Sequence, residues 1–533
     1  MFLTEHLPYN QTNAFSKIAL DYLSGSEDLR SFYSLPPTVK GIEETIQRKK
    51  QQAVNRQKLV EVLQDQYQSV SATDEVKRNI ESLLSENTFT VCTAHQPNLF
   101  TGPLYFVYKV LHTIKLGSFL KEQLPQYHFV PVYYMGSEDA DFAELNHTYV
   151  DGKKIEWKKE QTGAVGRMIV DSTLIQLINE LEGQLSTELY GKEVIDLLHR
   201  CYSEGKTIQD ATFELVNELY GKWGLIVLVA DNPALKAEMI DVFEDDLFNN
   251  TSSQIVEKTS ENLAKHYQAQ ANPREINLFY LKDHIRERIE EKEDRYSILN
   301  TELSFTKEEI KKELQEHPER FSPNVILRGL FQETILPNLA FIGGGGEMAY
   351  WLQLKDLFDY YKVVYPVLVL RNSFLVIEEK WNQRIQKLDL NAVDFFKDEN
   401  ELMKIIVAKN SENKIALNGN FEKAEAFYEQ IRIQAEAVDK TLSQYVTAIK
   451  TRSLKELGEL EKKMLRAEKR KFQEQQRQIR KIKEALFPND GLQERAENFS
   501  LFYAKWGSRF IEELYKNSLA LEQEFTILVE SNE

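Results

Sequence analysis

Five short apolar runs constrain the fold of this chain more than any other feature. Four of them are followed by a polar or glycine-rich segment and then by a stretch with the apolar spacing of a helix. Such an alternation predicts an α/β fold, with a parallel sheet flanked by helices. The runs are FTVCTA (89–94), FVPVYYM (129–135), LIVLVA (225–230), LAFI (339–342) and VVYPVLVL (363–370).

The segments around these runs predict the domain organisation. Residues 1–88 are predicted to be a mainly helical segment, and residues 89–378 to be the α/β core. Within that core, residues of about 148–222 and 234–325 are too long to be simple crossovers and are expected to be insertions. A small hairpin is expected near 148–170, with helices after it.

Residues 379–533 predict a helical coiled-coil domain. Apolar residues there recur at alternating steps of four and three, which is coiled-coil spacing. The sequence FPNDG at 487–491 must end the first long helix. A second helical stretch over 492–529 is expected to return alongside it as a hairpin, and such hairpins commonly form dimers. The residues that carry the first repeat are Val438, Leu442, Tyr445 and Ile449.

The composition excludes several classes of protein. A net charge of −17 disfavours a general nucleic-acid binder. Two cysteines cannot form a disulfide framework or a cysteine-rich zinc site, and Cys92 is expected to be a buried, unreactive thiol. The N-terminus does not resemble a secretory signal, and no apolar run approaches the length of a membrane span. The chain is therefore predicted to be cytoplasmic, without nucleic-acid or membrane partners.

Unusual polar residues follow the ends of the predicted strands, which is where open α/β sheets bind ligands. After the first run, HQPNLFTGP leads into a helix whose start could attract phosphate or carboxylate. The alternative is an ordinary structural corner. The candidate binding residues here are His95, Gln96, Asn98, Gly102, Tyr105 and Lys109.

After the second run, GSEDADFAELNH places four carboxylates within seven residues. They could bind an ammonium group or act as a base, or they could be ordinary acidic residues in the first turn of a helix. The spacing of Asp and His fits no zinc pattern, so no metal site is predicted. The candidates here are Glu138, Asp139, Asp141, Asn146 and His147.

Two later segments add further candidates. In SPNVILRGLFQE, Ser322 is expected to cap a helix, and Arg328 and Gln332 share one helical face suited to carboxylate or phosphate. In FIGGGGEMAYW, consecutive glycines allow a ligand to approach the backbone closely. The candidates are Ser322, Asn324, Arg328, Gln332, Gly343, Gly344, Gly345, Gly346, Glu347, Tyr350 and Trp351.

Taken together, these segments resemble one family, the cysteine-adding enzymes of bacillithiol biosynthesis called BshC. The resemblance is carried by AHQPNLFTGPLYFVYK, PVYYMGSEDADFAELNH, FSPNVILRGLFQETILPNLAFIGGGGEMAYW and the late coiled coil. It implies a Rossmann-like core with connective insertions and a coiled-coil domain that forms a homodimer. It also implies a ligase that joins the carboxyl group of L-cysteine to the amine of glucosaminyl-malate.

The resemblance further implies ATP-dependent activation of the carboxyl group, with Mg²⁺ as the companion of ATP. In that scheme His95, Glu138, Asp139 and Asp141 are the expected catalytic residues. Family members often have Thr-Gly-Gln-Gln, Arg-Pro and Gly-Pro-Gly-Glu where this chain has Thr93–Gln96, Arg328-Gly329 and Gly344–Glu347. His95 brings the first motif closer to the HIGH motif of class I aminoacyl-tRNA synthetases.

Two other classes of function remain open from the sequence. One is a non-catalytic dimeric scaffold or sensor in which the coiled coil is the working part. The other is a nucleotide-sugar glycosyltransferase, because Rossmann-like cores and glycine-rich loops also serve those enzymes.

Overall fold

A five-stranded parallel sheet lies at the centre of the larger part of the chain. In the computed structural model, which describes residues 2–410 and 417–531, one strand overlaps each predicted apolar run, which confirms the α/β prediction. The strands are β1 (Thr88–His95), β2 (His128–Met135), β3 (Ile226–Val229), β4 (Asn338–Gly343) and β5 (Val367–Leu370). Their spatial order is β5-β4-β1-β2-β3, and all neighbouring strands are parallel.

The strands read as continuous apolar runs because helices cover both faces of the sheet. Phe89 and Ile342 of the sheet belong to one buried cluster with Leu116 of the helix Tyr105–Gln123 and Ile46 of the helix Val39–Lys49. Each such side chain contributes about 1.5–3 kcal/mol when it is fully buried. The strand order reverses between β1 and β4, so the carboxyl edge of the sheet has a crevice there.

The N-terminal segment is mainly helical. It also begins with a strand that the sequence did not predict, Phe2–Pro8. This strand belongs to a three-stranded sheet with Glu524–Glu530 and Phe374–Ile377. The helices of the segment are Lys17–Leu23, Val39–Lys49, Arg56–Gln66 and Asp74–Ser82.

The first insertion contains the expected hairpin, formed by His147–Val150 and Lys153–Glu156. The helices Ser172–Leu185, Gly191–Cys201 and Ile208–Tyr220 follow it.

The second insertion contains an antiparallel sheet that was not predicted, because strands such as RERIEEK are charged enough to look helical. Its strands are Leu278–Lys282, Ile285–Lys292, Arg295–Ile298, Ser304–Phe305 and Phe321–Pro323. Its helices are Ile240–Asn249, Thr251–Leu263 and Lys307–Glu316. Short helices at Phe142–Leu145 and Pro233–Lys236 follow β2 and β3, and Val325–Ile335, Gly345–Trp351 and Lys355–Tyr361 flank β4.

The chain divides into two compact units. One comprises Phe2–Val376 and Gly491–Leu528, and the other comprises the described residues of Ile377–Asp490 and of 529–531. The second unit contains a helical hairpin made by Asn418–Val438 and Leu442–Lys469, with a hydrogen bond of 2.8 Å between the hydroxyls of Tyr428 and Ser453. Its other helices are Glu379–Lys387, Glu399–Asn410 and Gln473–Leu486.

The predicted return helix over 492–529 is wrong. These residues form the helices Phe499–Trp506 and Ser508–Asn517 and then enter the strand Glu524–Glu530. Gly507, with a φ of 61°, separates the two helices. The hairpin turn instead lies at Asp439, whose carboxylate accepts hydrogen bonds from the backbone and hydroxyl of Thr441 and so ends the preceding helix.

Both cysteines are buried free thiols. Burial raises the pKa of the Cys92 thiol well above its ordinary value, and that of Cys201 to about 12. The expectation of a buried Cys92 is confirmed.

No helix in the described ranges combines the length and hydropathy required to cross a bilayer.

A buried histidine joins three parts of the first unit. His112, in the helix Tyr105–Gln123, accepts a hydrogen bond at Nδ1 from the backbone N–H of Asn372, at 3.0 Å. Its Nε2 lies 2.7 Å from the carbonyl oxygen of Ala520, which can only accept. The site therefore requires a neutral imidazole, and burial lowers the pKa of His112 to about 4.

Acidification should destabilise the protein through His112. The pKa of His112 is about 4 in the folded chain and about 6.5 for an unfolded histidine. The stabilisation is therefore complete above pH 6.5 and is lost as the pH falls. Between pH 7.5 and 5.0 the wild type should lose about 2 kcal/mol more free energy of unfolding than His112→Gln, measured by urea denaturation. Equal losses in the two proteins would contradict this assignment.

Candidate active site

A cavity of about 580 Å³ lies at the carboxyl edge of the central sheet, where the strand order reverses. Side chains from the ends of β1, β2, β4 and β5, and from both the second insertion and the segment after residue 490, line it. Thirteen of the residues proposed from the sequence are among them: His95, Gln96, Tyr105, Lys109, Glu138, Asp139, Asn324, Arg328, Gly344, Gly345, Gly346, Glu347 and Tyr350.

Five proposed residues near the first two strand ends do not line the cavity. Asn98 and Gly102 belong to the turn after β1, where the Gly102 carbonyl accepts a hydrogen bond from Asn498. Asp141 caps the short helix Phe142–Leu145. Asn146 donates to the carbonyl of Trp157, and His147 begins the hairpin. Local backbone structure accounts for the polar side chains of Asp141 and Asn146.

Four further proposed residues also lie outside the cavity lining. Ser322 belongs to a strand and accepts a hydrogen bond from Arg286, so its prediction as a helix cap is wrong, and Asn324 is the cap. Gln332 is buried against Glu333. Gly343 ends β4. Trp351 is buried beside Gly329, where an added Cβ would lie 3.0 Å from the Trp351 ring.

Lys109 joins the end of β1 to the glycine loop, residues 343–346. The Lys109 ammonium donates to the carbonyl of Ala94 at 2.9 Å and lies 2.5 Å from a carboxylate oxygen of Glu347. The same carboxylate oxygen of Glu347 accepts a hydrogen bond from the backbone N–H of Gly344 at 2.8 Å. One fully buried cation therefore sets the distance between the first and fourth strand ends.

His95 lies beside this junction as a neutral imidazole. Its ring contacts those of Tyr105 and Phe106, with centroid distances of 5.3 and 5.6 Å. Burial lowers its pKa well below the ordinary value, and the positive charges of Lys109 and Arg371 lower it further. Within the described part of the chain Nε2 has no hydrogen-bond partner.

The glycine loop gives the cavity space. All four glycines of the loop have negative φ, so a side chain would be allowed by the backbone. A Cβ added to Gly346 would have no atom within 4 Å, and one added to Gly344 would meet atoms only at 3.5 Å or beyond. Packing explains Gly343, where an added Cβ would lie 2.8 Å from the ring of Phe341, but neither packing nor backbone conformation explains Gly344 and Gly346.

Glu138, which lines the cavity, belongs to a buried network of charged side chains. Glu138 is ion-paired with Lys236, whose ammonium also donates to the carbonyl of Glu319 at 2.9 Å and lies 3.5 Å from Asp231. Arg167 forms a bidentate pair with Asp231, at 2.7 and 2.8 Å. Burial raises the pKa of Glu138 despite Lys236. Burial also opposes ionisation of Asp231, but its two cations hold its pKa below the ordinary value.

Asp139 is more open to the cavity than this network. It accepts hydrogen bonds from Gln96 at 3.1 Å and from the backbone of Asp141 at 3.0 Å. The nearby carboxylate of Glu144 has a raised pKa, because burial and the charges of Asp139 and Asp141 all disfavour its ionisation. A cation bound here would relieve that repulsion.

Four arginines also line the cavity. Arg328 donates to the Tyr350 hydroxyl at 2.8 Å and lies over the ring of Tyr134, 5.6 Å from its centroid. Arg371 was missed from the sequence, although it directly follows β5 and the strand-end argument would have found it. Arg286 and Arg495 also line the cavity, and no local pattern in the sequence indicates them.

This arrangement suits a substrate that carries both signs of charge. Its guanidinium groups can bind carboxylate or phosphate, and its carboxylates can accept hydrogen bonds from an ammonium group. Among the described residues, no three His, Cys, Asp or Glu side chains are grouped so as to hold a metal ion.

Comparison with known proteins assigns both parts of the chain to the family that the sequence resembles. The family model described as bacillithiol biosynthesis BshC, N-terminal Rossmann-like domain, matches residues 2–372. The model described as bacillithiol biosynthesis BshC, C-terminal coiled-coil domain, matches residues 374–530.

Individual relatives match over nearly their full length. A protein of Flavobacterium johnsoniae named "Putative cysteine ligase BshC" is 40% identical, with 98% of this chain and 99% of the relative covered. A protein of the same name from Christiangramia forsetii is 41% identical, with 98% of this chain and 99% of the relative covered. Another from Chlorobaculum tepidum is 30% identical, with 89% of this chain and 89% of the relative covered. The chain belongs to the BshC family of bacillithiol biosynthesis.

Proposed function

We propose that this protein is a ligase that adds L-cysteine to glucosaminyl-malate in the last step of bacillithiol synthesis, with ATP as the activating substrate. The observation that carries the proposal is the cavity at the reversal of strand order, which is lined both by carboxylates and by guanidinium groups. The names of the relatives support the ligase class. The convergence of these side chains also favours an enzyme over a scaffold.

The reaction requires an activated carboxyl group, because amide formation from a free carboxylate is unfavourable in water. A carboxylate oxygen of cysteine would attack the α-phosphorus of ATP, and pyrophosphate would leave. The neutral amine of the sugar would then attack the acyl carbon. A C–N bond forms, AMP leaves with the electrons of the C–O bond, and one N–H proton passes to an acceptor.

The geometry suggests a role for each side of the cavity. His95 Nε2 is the proposed proton acceptor, because it is neutral and has no protein partner in the described structure. Glu138, which is ion-paired with Lys236 through one carboxylate oxygen, would bind an ammonium group through the other. Arg328 would hold a carboxylate of the malate, whereas Lys109 is already engaged by Glu347 and Ala94. Asp141 is a helix cap and is not proposed for catalysis.

ATP is expected to bring Mg²⁺ with it. The carboxylates of Asp139 and Glu144 are hard oxygen ligands of the kind Mg²⁺ accepts beside substrate phosphates. Two such groups suffice when substrate phosphates and water supply the remaining ligands.

Product formation tests the proposal and the role of His95 together. Purified protein supplied with cysteine, glucosaminyl-malate, ATP and Mg²⁺ should form the thiol product, followed by mass spectrometry. His95→Asn should lower kcat by about 10²–10⁴-fold. His266→Asn, at a half-exposed position outside the cavity lining, is the control and should leave kcat unchanged. Absence of both product and ATP consumption in the wild type would reject the proposal.

Gly346→Ala separates ligand contact from folding. The added methyl group meets no protein atom within 4 Å and lies in the first turn of a helix. It should therefore leave the melting temperature unchanged or raise it, since alanine is favoured over glycine in helices by about 0.5–1 kcal/mol. If a substrate approaches this loop, KM should rise. Unchanged kinetics would mean that the loop is not a binding surface.

We further propose that the coiled-coil unit forms a homodimer. Its hairpin exposes a series of large apolar side chains that gain nothing from contact with water. They are Phe427, Ile433, Val438, Leu442, Tyr445, Ile449 and Leu460, each between 38% and 83% exposed. A second copy of the same hairpin would cover them with matching chemistry.

A charge placed on this apolar surface should dissociate the dimer. Ile433→Glu combined with Ile449→Glu would bury two unpaired carboxylates at the interface, at a cost of several kcal/mol. Sedimentation velocity should give a dimer for the wild type and a monomer for this variant, with the same circular dichroism. Gln444→Glu, at an exposed polar position on the same helix, should remain dimeric. A monomeric wild type would overturn the proposal.

A further inference from the structure

Arg371 reaches the cavity while most of its guanidinium group is already held. Nη1 donates to the Asn372 carbonyl at 3.0 Å and to the Ser373 hydroxyl at 3.1 Å. Nη2 donates to a carboxylate oxygen of Glu494 at 2.7 Å. Nε lies near the glycine loop, since a Cβ added to Gly344 would be 3.6 Å from it. One edge of the guanidinium group is thus fixed, and another lies beside the cavity.

Glu494 is built to hold that orientation. It is completely buried, and besides Arg371 it accepts hydrogen bonds from the Ser373 hydroxyl at 3.1 Å and the backbone N–H of Phe374 at 3.2 Å. Together these donors hold the buried carboxylate in one position. The pair therefore fixes the rotamer of Arg371 as well as neutralising it.

The segment that contains Glu494 also supports the other side of the cavity. Asn498 donates to the carbonyls of Phe100 and Gly102, at 2.9 and 2.6 Å, in the turn that follows His95. The carbonyl of Glu497 accepts a hydrogen bond from the backbone N–H of Leu104 at 2.8 Å. Arg495 itself lines the cavity. Residues 494–498 therefore contact both the β1 side and the β5 side of the site.

We propose that Glu494 is the positioning residue for Arg371, and that Arg371 binds an anionic oxygen of a substrate at the glycine loop. This inference rests on the proposed function for the identity of the substrate, whose anionic groups are the carboxylates of the malate and the phosphates of ATP. It assigns a binding role to a residue after β5 and a supporting role to the segment that follows residue 490.

A second buried pair in the same unit provides a matched comparison. Lys49 and Glu333 are as buried as Arg371 and Glu494, with side-chain exposures of 1% and 0%. The Lys49 ammonium lies 3.8 Å from the Glu333 carboxylate and donates to its backbone carbonyl at 2.8 Å. Neither residue lines the cavity. A purely structural role predicts that the two pairs respond alike.

Equilibrium binding measures the effect without requiring turnover. Titration calorimetry with L-malate and, separately, with ATP and Mg²⁺ should give a Kd at least tenfold weaker for Glu494→Gln with one of the two probes. Loss with malate identifies a carboxylate subsite, and loss with ATP identifies a phosphate subsite. Glu333→Gln should change neither Kd by more than twofold. Circular dichroism checks that each variant is folded. If Glu494→Gln does not fold, Glu494→Asp replaces it, because the shorter side chain keeps the carboxylate but moves it away from Arg371.

The double variant gives the decisive comparison. If Glu494 acts through Arg371, adding Glu494→Gln to Arg371→Lys should not weaken binding further. Losses that multiply, unchanged binding in folded Glu494→Gln, or a wild type that binds neither probe would each overturn the inference. A wild type that binds a probe with this dependence on Glu494 but forms no product would instead overturn the proposed function alone.

Discussion

The buried ion pair between Lys109 and Glu347 is the interaction on which the site depends. A buried ammonium group requires partners, and Lys109 finds them at the end of β1 and in the loop after β4. These are the two strands between which the order of the sheet reverses. The pair therefore holds the crevice at a fixed width, with His95 on one side and the glycine loop on the other.

Two other groups of charged side chains at the cavity are also paired with buried partners. Lys236 and Arg167 neutralise Glu138 and Asp231, and Glu494 neutralises Arg371. Because these partners are rigidly buried, the groups that face the cavity are oriented before any substrate arrives. His95 differs from these groups, since burial and neighbouring cations keep its imidazole uncharged. Preorganised charge beside one neutral base is a suitable setting for acyl transfer.

Much of this architecture was predictable from the sequence because the strands are apolar on both faces and end in polar residues. The five runs located all five strands of the central sheet, and the strand-end argument located thirteen cavity residues. It failed where local hydrogen bonding uses a polar side chain. Asp141 and Asn146 satisfy backbone groups, and Ser322 lies in a strand that no pattern indicated.

Sequence patterns did not indicate the residues that tertiary contacts bring to the cavity. Arg286 comes from a charged strand of an unpredicted sheet, and Arg495 from a segment expected to be a coiled-coil helix. The sequence predicted that a second helical stretch after FPNDG would return alongside the first, but the apolar residues of this stretch pack within the first unit.

The central claim is that the crevice between β1 and β4 is where the substrates meet. A crystal structure of the protein with ATP, Mg²⁺ and L-cysteine tests it most directly. The account predicts electron density for the bound molecules between His95 and the glycine loop, with Arg328 or Arg371 in contact with an anionic group. Density for these ligands at another place in the fold, with this crevice empty, would contradict it.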